Sequence, residues 1–298
     1  MQHLVGMHDA SWQAMYDGIL GEIFPSAIDI PHNVATNSFA PNVESVLALE
    51  PDLVIQWGDN GAAIIDPLEN AGLKVAALKY GTQDDVARWI ALFATALGRP
   101  DRARELNSPI SAALKTLSAV GRSAPKPAPK ILYFNRFEGG LKVAATGSYN
   151  DFYIKLVGGQ NPASGPHGAP GTGMVGVDIE QVLSWDPDII LLGNFDAAMP
   201  DDVYQSAVWR DQTAVKTRRV YKVPLGGYRW DPPSHESPLM WRWLSMVAFP
   251  QQQPFDLGAE VRTSYKRFYN HAPTAAQLAQ ILWLKANGAS SGYRQFHA

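Results

Sequence analysis

The chain has 298 residues, room for about two domains at roughly 150 residues each, and its 46% hydrophobic and 18% charged residues describe a folded rather than a disordered protein. A net charge of -3, from 25 Lys and Arg against 28 Asp and Glu, argues against a dedicated nucleic-acid binder, and no apolar run reaches the roughly 18 residues of a membrane span. The absence of cysteine excludes disulfides, zinc–thiolate sites and cysteine nucleophiles.

The first residues, Met1-Gln2-His3-Leu4-Val5-Gly6, carry neither the charged nor the apolar region of a secretion signal. They predict a short strand over 3–6 and then a helical stretch over 11–23. From there strand and helix alternate: helix 43–50, strand 52–57, helix 62–71, strand 74–79, helix 84–97. Each strand is a short apolar run between turn signals, the pattern of parallel strands buried on both faces. A long helix follows over 101–120, with Pro109 as a potential kink. The segment 121–129 holds three alternating prolines, reads as extended and exposed, and is a natural boundary.

The second half repeats this logic with strand 130–135, helix 151–157 and a Gly/Pro-rich loop over 158–173. Helix 179–185, strand 188–192, helix 200–209 and strand 220–225 come next. Helices 235–249, 256–269 and 274–286 dominate the end, and the polar tail 287–298 reads as frayed. Domains are therefore expected at 1–100, 101–122 (a connecting helix), 123–250 and 251–298.

An internal repeat is the strongest signal. Residues 42–55 read Asn-Val-Glu-Ser-Val-Leu-Ala-Leu-Glu-Pro-Asp-Leu-Val-Ile, and 178–191 read Asp-Ile-Glu-Gln-Val-Leu-Ser-Trp-Asp-Pro-Asp-Ile-Ile-Leu, at a constant offset of 136 residues. Each copy has an N-capping Asn42 or Asp178, a two-turn helix, an acidic-Pro-Asp stop and a buried strand. Two copies imply two similar α/β lobes.

This doubled helix–turn–strand unit, set on either side of a helical connector, resembles the class III periplasmic substrate-binding proteins of ABC importers. The resemblance runs from about His3 to about Tyr269. It implies two Rossmann-like lobes with mostly parallel sheets, joined by a single long helix, with a solute held in the cleft between them. It implies no intrinsic cofactor, a metal only within a bound chelate, and an iron–siderophore, corrinoid, haem or oxyanion as ligand. An ABC permease and its ATPase are the implied partners, the periplasm or cell envelope the location, and a monomer the state. A stiff single connector predicts small lobe movement. The family also implies a strand, a helix and a signal segment ahead of His3, which this sequence does not carry; a first sheet lacking that strand is expected to expose apolar edge and face.

Ligands of open α/β sheets sit beyond the carboxyl ends of the strands, which selects the loops 7–12, 57–61, 80–82, 136–140, 194–196 and 226–236. Trp57, before Gly58-Asp59-Asn60-Gly61, either offers a ring face to a ligand or packs on the neighbouring helix; Tyr80 is similar. Tyr228-Arg229-Trp230 follows two glycines and precedes two prolines, with Ser234 and His235 beyond, so Arg229 reads as a fixed cation beside two aromatic rings, or the stretch is an aromatic-rich turn that seals the junction of lobe and helix. Arg136, beside Asn135 and Glu138, is a second cation or a surface salt bridge. The loop 145–151 offers backbone N–H groups to an oxyanion or is capped by Asn150. Permease docking in the family uses one acidic residue per lobe, for which Asp59 or Glu69 and Asp196 or Asp201 are the candidates.

Among His3, His8, His32, His167, His235, His271 and His297 there is no i, i+4 pair. His8 and His235 fall in loops of opposite halves, and a metal held there would still need a third ligand. There is no nucleophile elbow and no phosphate-binding loop, so the alternative of an enzyme on a two-lobe scaffold has no catalytic signature behind it. A scaffold or sensor that binds the same solute without transport is the other alternative.

Overall fold

The computed structural model describes residues 3–252 and 255–296, so His297 of the candidate histidines and the last residues of the tail lie outside them. The chain divides into two compact units, Met1–Asn107 and Ser108–Ala298.

The first unit begins with α1 (Asp9–Asp17) and α2 (Leu20–Ile23). Residues 4–7 form no strand, against the sequence reading, and the helical stretch breaks at Gly18 and Ile19. Then come α3 (Val43–Ala48), β1 (Val54–Trp57), α4 (Asp66–Asn70), β2 (Val75–Leu78) and α5 (Gln83–Ala96). β1 and β2 pair in parallel, Val54 opposite Val75 and Trp57 opposite Leu78. The expectation of strands buried on both faces fails here: Leu78 alone is buried in the two strands, and Ile55 is 39% exposed. Two strands flank each other on one side only, so half of each backbone edge and much of each face stays outside. A separate small core gathers Met15, Ala27 and Ile30 with Trp12 and Phe24 against them.

The helix α6 (Pro100–Arg122) carries the chain into the second unit and continues through Pro109 without a break. The second unit holds β3 (Ile131–Arg136), β4 (Lys142–Ala144), α7 (Tyr149–Leu156), β5 (Met174–Gly176), α8 (Ile179–Trp185) and β6 (Ile189–Leu192). It ends with α9 (Pro200–Gln205), α10 (Thr213–Lys216), β7 (Val220–Lys222), α11 (Ser237–Ala248), α12 (Leu257–Tyr269) and α13 (Ala275–Ile281). The sheet order is β5-β4-β3-β6-β7. β3, β6 and β7 are parallel, whereas β4 and β5 run antiparallel. The sequence reading missed both antiparallel strands, which are three residues long and carry Lys142 and Gly176. Alternate residues build the core on one face: Leu132 and Phe134 of β3 lie opposite Ile190 and Leu192 of β6 and pack with Trp185 and Trp209.

The repeated unit is real in three dimensions. Asn42 accepts from Ser45 N, and Asp178 accepts from Gln181 N at 2.7 Å. Glu50 and Asp186, at the same place in the two copies, both take the left-handed conformation, with φ of 45° and 42°. Such a residue ends the helix and turns the chain into proline and the strand. In the second copy this residue also starts α10, because the Asp186 carboxylate holds Thr213 N and Oγ1 at 2.7 Å each.

The described part of the tail, residues 287–296, is not frayed. Asn287 is fully buried; its Oδ1 accepts from Lys222 N at 2.7 Å and its Nδ2 donates to Lys222 O at 3.0 Å. Ser290 donates to Val220 O, and Tyr221 donates its hydroxyl to Ser291 O at 2.7 Å. Tyr293 and Phe296 are buried. These polar residues act as a surrogate strand on the outer edge of β7, which would otherwise present unpaired backbone groups. Asn287→Ala removes two buried backbone partners at once and is expected to lower unfolding stability by about 1–3 kcal/mol, read from urea denaturation.

Candidate ligand-binding site

In the first unit the carboxyl ends of β1 and β2 bring together three aromatic rings. Trp57 meets Tyr80 edge-on at 5.3 Å between centroids and Trp89 at 5.2 Å, and Tyr80 lies 6.3 Å from Trp89 at a shallow angle. Tyr80 is 47% exposed. Sequence reasoning picked out Trp57 and Tyr80 but missed Trp89, which sits within α5 and reads as an ordinary helical aromatic. Its indole N–H donates to Lys79 O at 2.9 Å, which ties α5 to the tip of β2. Thr82 and Asp85 fix the start of α5 by a reciprocal cap. Burial alone would raise the pKa of Asp85, but hydrogen bonds from Thr82 and the Arg88 guanidinium outweigh it and hold the carboxyl below its ordinary value. Asp59 accepts from Tyr80 N at 2.7 Å, so this docking candidate also ties the two strand-end loops together. Glu69 is exposed on α4.

His8 is an N-cap. Its Nδ1 accepts from Ala10 N at 3.0 Å and its Nε2 faces Thr36 O at 2.9 Å, which occupies both ring nitrogens. Among the described residues no group of three His, Asp or Glu side chains stands ready for a metal ion.

In the second unit the strand ends are bound by a polar network that the sequence did not announce. Asp231 is buried and accepts from Tyr133 OH at 2.6 Å, Asn194 N at 3.0 Å and Asn194 Nδ2 at 3.2 Å. Lys222 is buried with its ammonium on the carbonyls of Gly193, Asp196 and Ala198 at 2.8, 2.9 and 3.1 Å. Burial pulls its pKa down, against the opposing pull of the Asp231 and Asp196 charges. Asp196, a docking candidate, accepts from the backbone N–H of Phe137 and Glu138 and so staples the loop after β3 to the loop after β6. Asp201 is exposed in the first turn of α9.

Arg229 lies on this network. It is 7% exposed, donates from Nε to Asn194 O at 3.0 Å, and its guanidinium stands 4.9 Å from the Phe195 ring and 6.0 Å from the Tyr228 ring. Cation and rings therefore meet as the sequence suggested, with Phe195 as the ring it overlooked. Arg136 is exposed at the end of β3, two residues past the Phe134–Leu192 pairing. In the loop 145–151 the cap is Ser148, which accepts from Asp151 N at 3.1 Å, and not Asn150, which is buried and donates to Tyr153 OH.

Trp230 follows the second of the two readings, the sealing turn. Trp230 has no exposure, and its indole N–H donates to Glu236 Oε2 at 2.7 Å. Glu236, equally buried, also accepts from Tyr265 OH at 2.7 Å and from Tyr269 OH. A Cβ on Gly226 would stand 2.1 Å from Tyr265 Oη and 2.3 Å from Glu236 Oε2, and one on Gly227 2.6 Å from Tyr269 Oη. The two glycines make room for a buried carboxylate rather than supply flexibility. His235 has its Nε2 at 2.7 Å from Tyr269 OH. Ser234 accepts from Glu236 N at 3.1 Å just ahead of α11.

Aromatic rings and an arginine thus stand at the strand ends of an α/β chain. The family model for periplasmic binding proteins matches residues 34–225, and the chain belongs to that family, the class III binding proteins of ABC importers. A periplasmic solute binding protein from Veillonella parvula is 32% identical and superposes with a TM-score of 0.84 over 95% of this chain and 86% of its own. The iron(3+)-hydroxamate-binding protein FhuD of Bacillus subtilis is 29% identical over 256 residues, 76% of this chain and 77% of its own. The molybdate-binding protein MolA of Haemophilus influenzae is 24% identical over 250 residues, 76% of this chain and 70% of its own. Each of these relatives is a solute-binding protein.

Two outcomes check the Glu236 cluster. Gly226→Ala and Glu236→Gln are each expected to destabilise the second unit by about 3–5 kcal/mol, seen as a lowered denaturation midpoint. Burial first, and then the charges of Asp231 and Glu236, push Tyr133, Tyr265 and Tyr269 well above their ordinary value of 10.0. A raised folded-state pKa adds stability that is complete below the ordinary value and lost as pH climbs toward the folded one. Absorbance near tyrosinate wavelengths should therefore show a group of the 11 tyrosines silent until alkaline unfolding begins above pH 10.

Proposed function

We propose that the chain is the substrate-binding component of an ABC importer and that its solute is an iron–siderophore or a related metal chelate. The observation that carries this reading is the ring cluster of Trp57, Tyr80 and Trp89, whose exposed Tyr80 and half-buried indoles offer flat apolar area to a bulky organic ligand. Within the second unit, Arg229 with the Tyr228 ring near it, and the exposed Arg136, are cations at strand ends suited to anionic donor groups. The iron arrives inside its chelator as cargo, and the protein contributes no ligand to it. The 29% identity to an iron(3+)-hydroxamate-binding protein supports this class of solute.

A compact oxyanion is the second reading, favoured by the similarity to a molybdate-binding protein and by the Arg229 guanidinium. A bare tetrahedral anion needs converging N–H donors and gains little from three aromatic rings, so the chelate is preferred; haem and cobalamin are the other bulky candidates. The partners are then an ABC permease and its ATPase, met in the periplasm or at the cell envelope by a monomer, and no nucleic acid is involved. Glu69 and Asp201, both exposed, are the proposed docking carboxylates, with Asp59 and Asp196 serving as loop ties as well.

Calorimetric titration with a ferric trihydroxamate, haemin, cobalamin and molybdate tests this. The ferric chelate is expected to bind with a micromolar or tighter constant, and Trp57→Ala to weaken it by about 1–3 kcal/mol. Binding of molybdate alone would transfer the assignment to the second reading, and binding of none would sink both.

A further inference from the structure

Away from the strand ends, three helices of the second unit leave a gap. The part of α6 from Pro109 onward, the beginning of α11 and the middle of α12 enclose a cavity of about 230 Å³. Its existence follows from residue size: α6 contributes Ala112 and Ala113, and α12 contributes Thr263 and Ser264, where larger side chains would have closed the space. Ile110, Leu239 and Phe268 give it an apolar wall.

The other wall is polar. Arg242 and Arg267 line the cavity against a single carboxylate, Glu260, with His235 among the lining residues. The Arg242 side chain is 17% exposed, and its Nε is buried with no hydrogen-bond partner among the described residues. Glu260 Oε1 lies 3.5 Å from that Nε without forming a hydrogen bond, and Glu260 itself is 37% exposed. The Phe255 ring, 5.5 Å from the guanidinium, is the other contact that balances its charge. A guanidinium removed from water with a donor left unused is costly unless an acceptor reaches it. Burial accordingly lowers the Arg242 pKa, with only Glu260 opposing.

We propose that this cavity is a second small-molecule site, which takes a short monocarboxylate with its carboxylate on Arg242 and its apolar body against Ile110, Leu239 and Phe268. The volume is below the roughly 300–1,000 Å³ of drug-sized pockets, so a peptide segment or a chelate does not fit. The apolar wall separates an organic acid from a bare inorganic anion, which would leave it unsatisfied. The site shares none of the residues proposed for the importer's solute except His235, so its occupant does not depend on what that solute is.

Saturation-transfer NMR and calorimetry on the full chain, with hexanoate and benzoate as probes and hexan-1-ol and sulfate as controls, test this. Both carboxylates are expected to bind with millimolar constants, and neither control to match them. Arg242→Gln should weaken hexanoate about tenfold. Because the Arg242 side chain is largely packed against its neighbours, Glu260→Gln provides an independent variant: it removes the competing carboxylate and should tighten hexanoate about threefold. The proposal is overturned by no carboxylate binding at about 20 mM. It is equally overturned by hexan-1-ol or sulfate binding as well as hexanoate, or by Glu260→Gln leaving the affinity unchanged or weaker.

Discussion

The carboxylate of Glu236 is closed off from water and held by donors from three places in the chain: the Trp230 indole six residues earlier, Tyr265 and Tyr269 on α12. An unpaired charge in that position would cost several kcal/mol, so the loop after β7, the start of α11 and the last turns of α12 can only be native together. The same cluster dictates Gly226 and Gly227, because any side chain there enters the space of the carboxylate and the phenols. It also sets the course of the loop on which Tyr228 and Arg229 stand. The placement of the cation at the strand ends is thus a consequence of packing beneath it, and Arg229 is rigid because its loop is anchored twice.

What was legible in the sequence was what is local. The repeated helix, its capping Asn42 or Asp178 and the turn through Glu50 or Asp186 are each governed by neighbours within a few residues, and all appear where the pattern put them. Trp57 and Tyr80 were legible as strand-end aromatics for the same reason. What escaped was non-local. Trp89 joins the ring cluster only because α5 folds back against β2, and Phe195 meets Arg229 across 34 positions of sequence. Asn287 looks like any polar tail residue until β7 offers it an amide and a carbonyl. The short strands β4 and β5 exist by pairing with each other and with β3, and nothing in three residues such as Lys142–Ala144 demands that alone.

The two units use their residues differently although they share a motif. In the second, the strands β3, β6 and β7 are buried throughout except at the tip of β3, and Asp231, Tyr133 and Asn194 join in a hydrogen-bonded network at their ends. In the first, two half-exposed strands support a cluster of rings whose own contacts do much of the local work. The first unit thus keeps aromatic area exposed at its strand ends, and the second holds a buttressed cation at its own.

The surrogate strand beside β7 has a bearing on how the protein is made. Residues 287–291 leave the ribosome after all five strands of the sheet, so during synthesis that sheet stands with one side unsealed while every strand is already available. Until those few polar residues emerge, the backbone N–H and C=O of Lys222 lack the partner Asn287 gives them, while Val220 already has the Tyr204 hydroxyl.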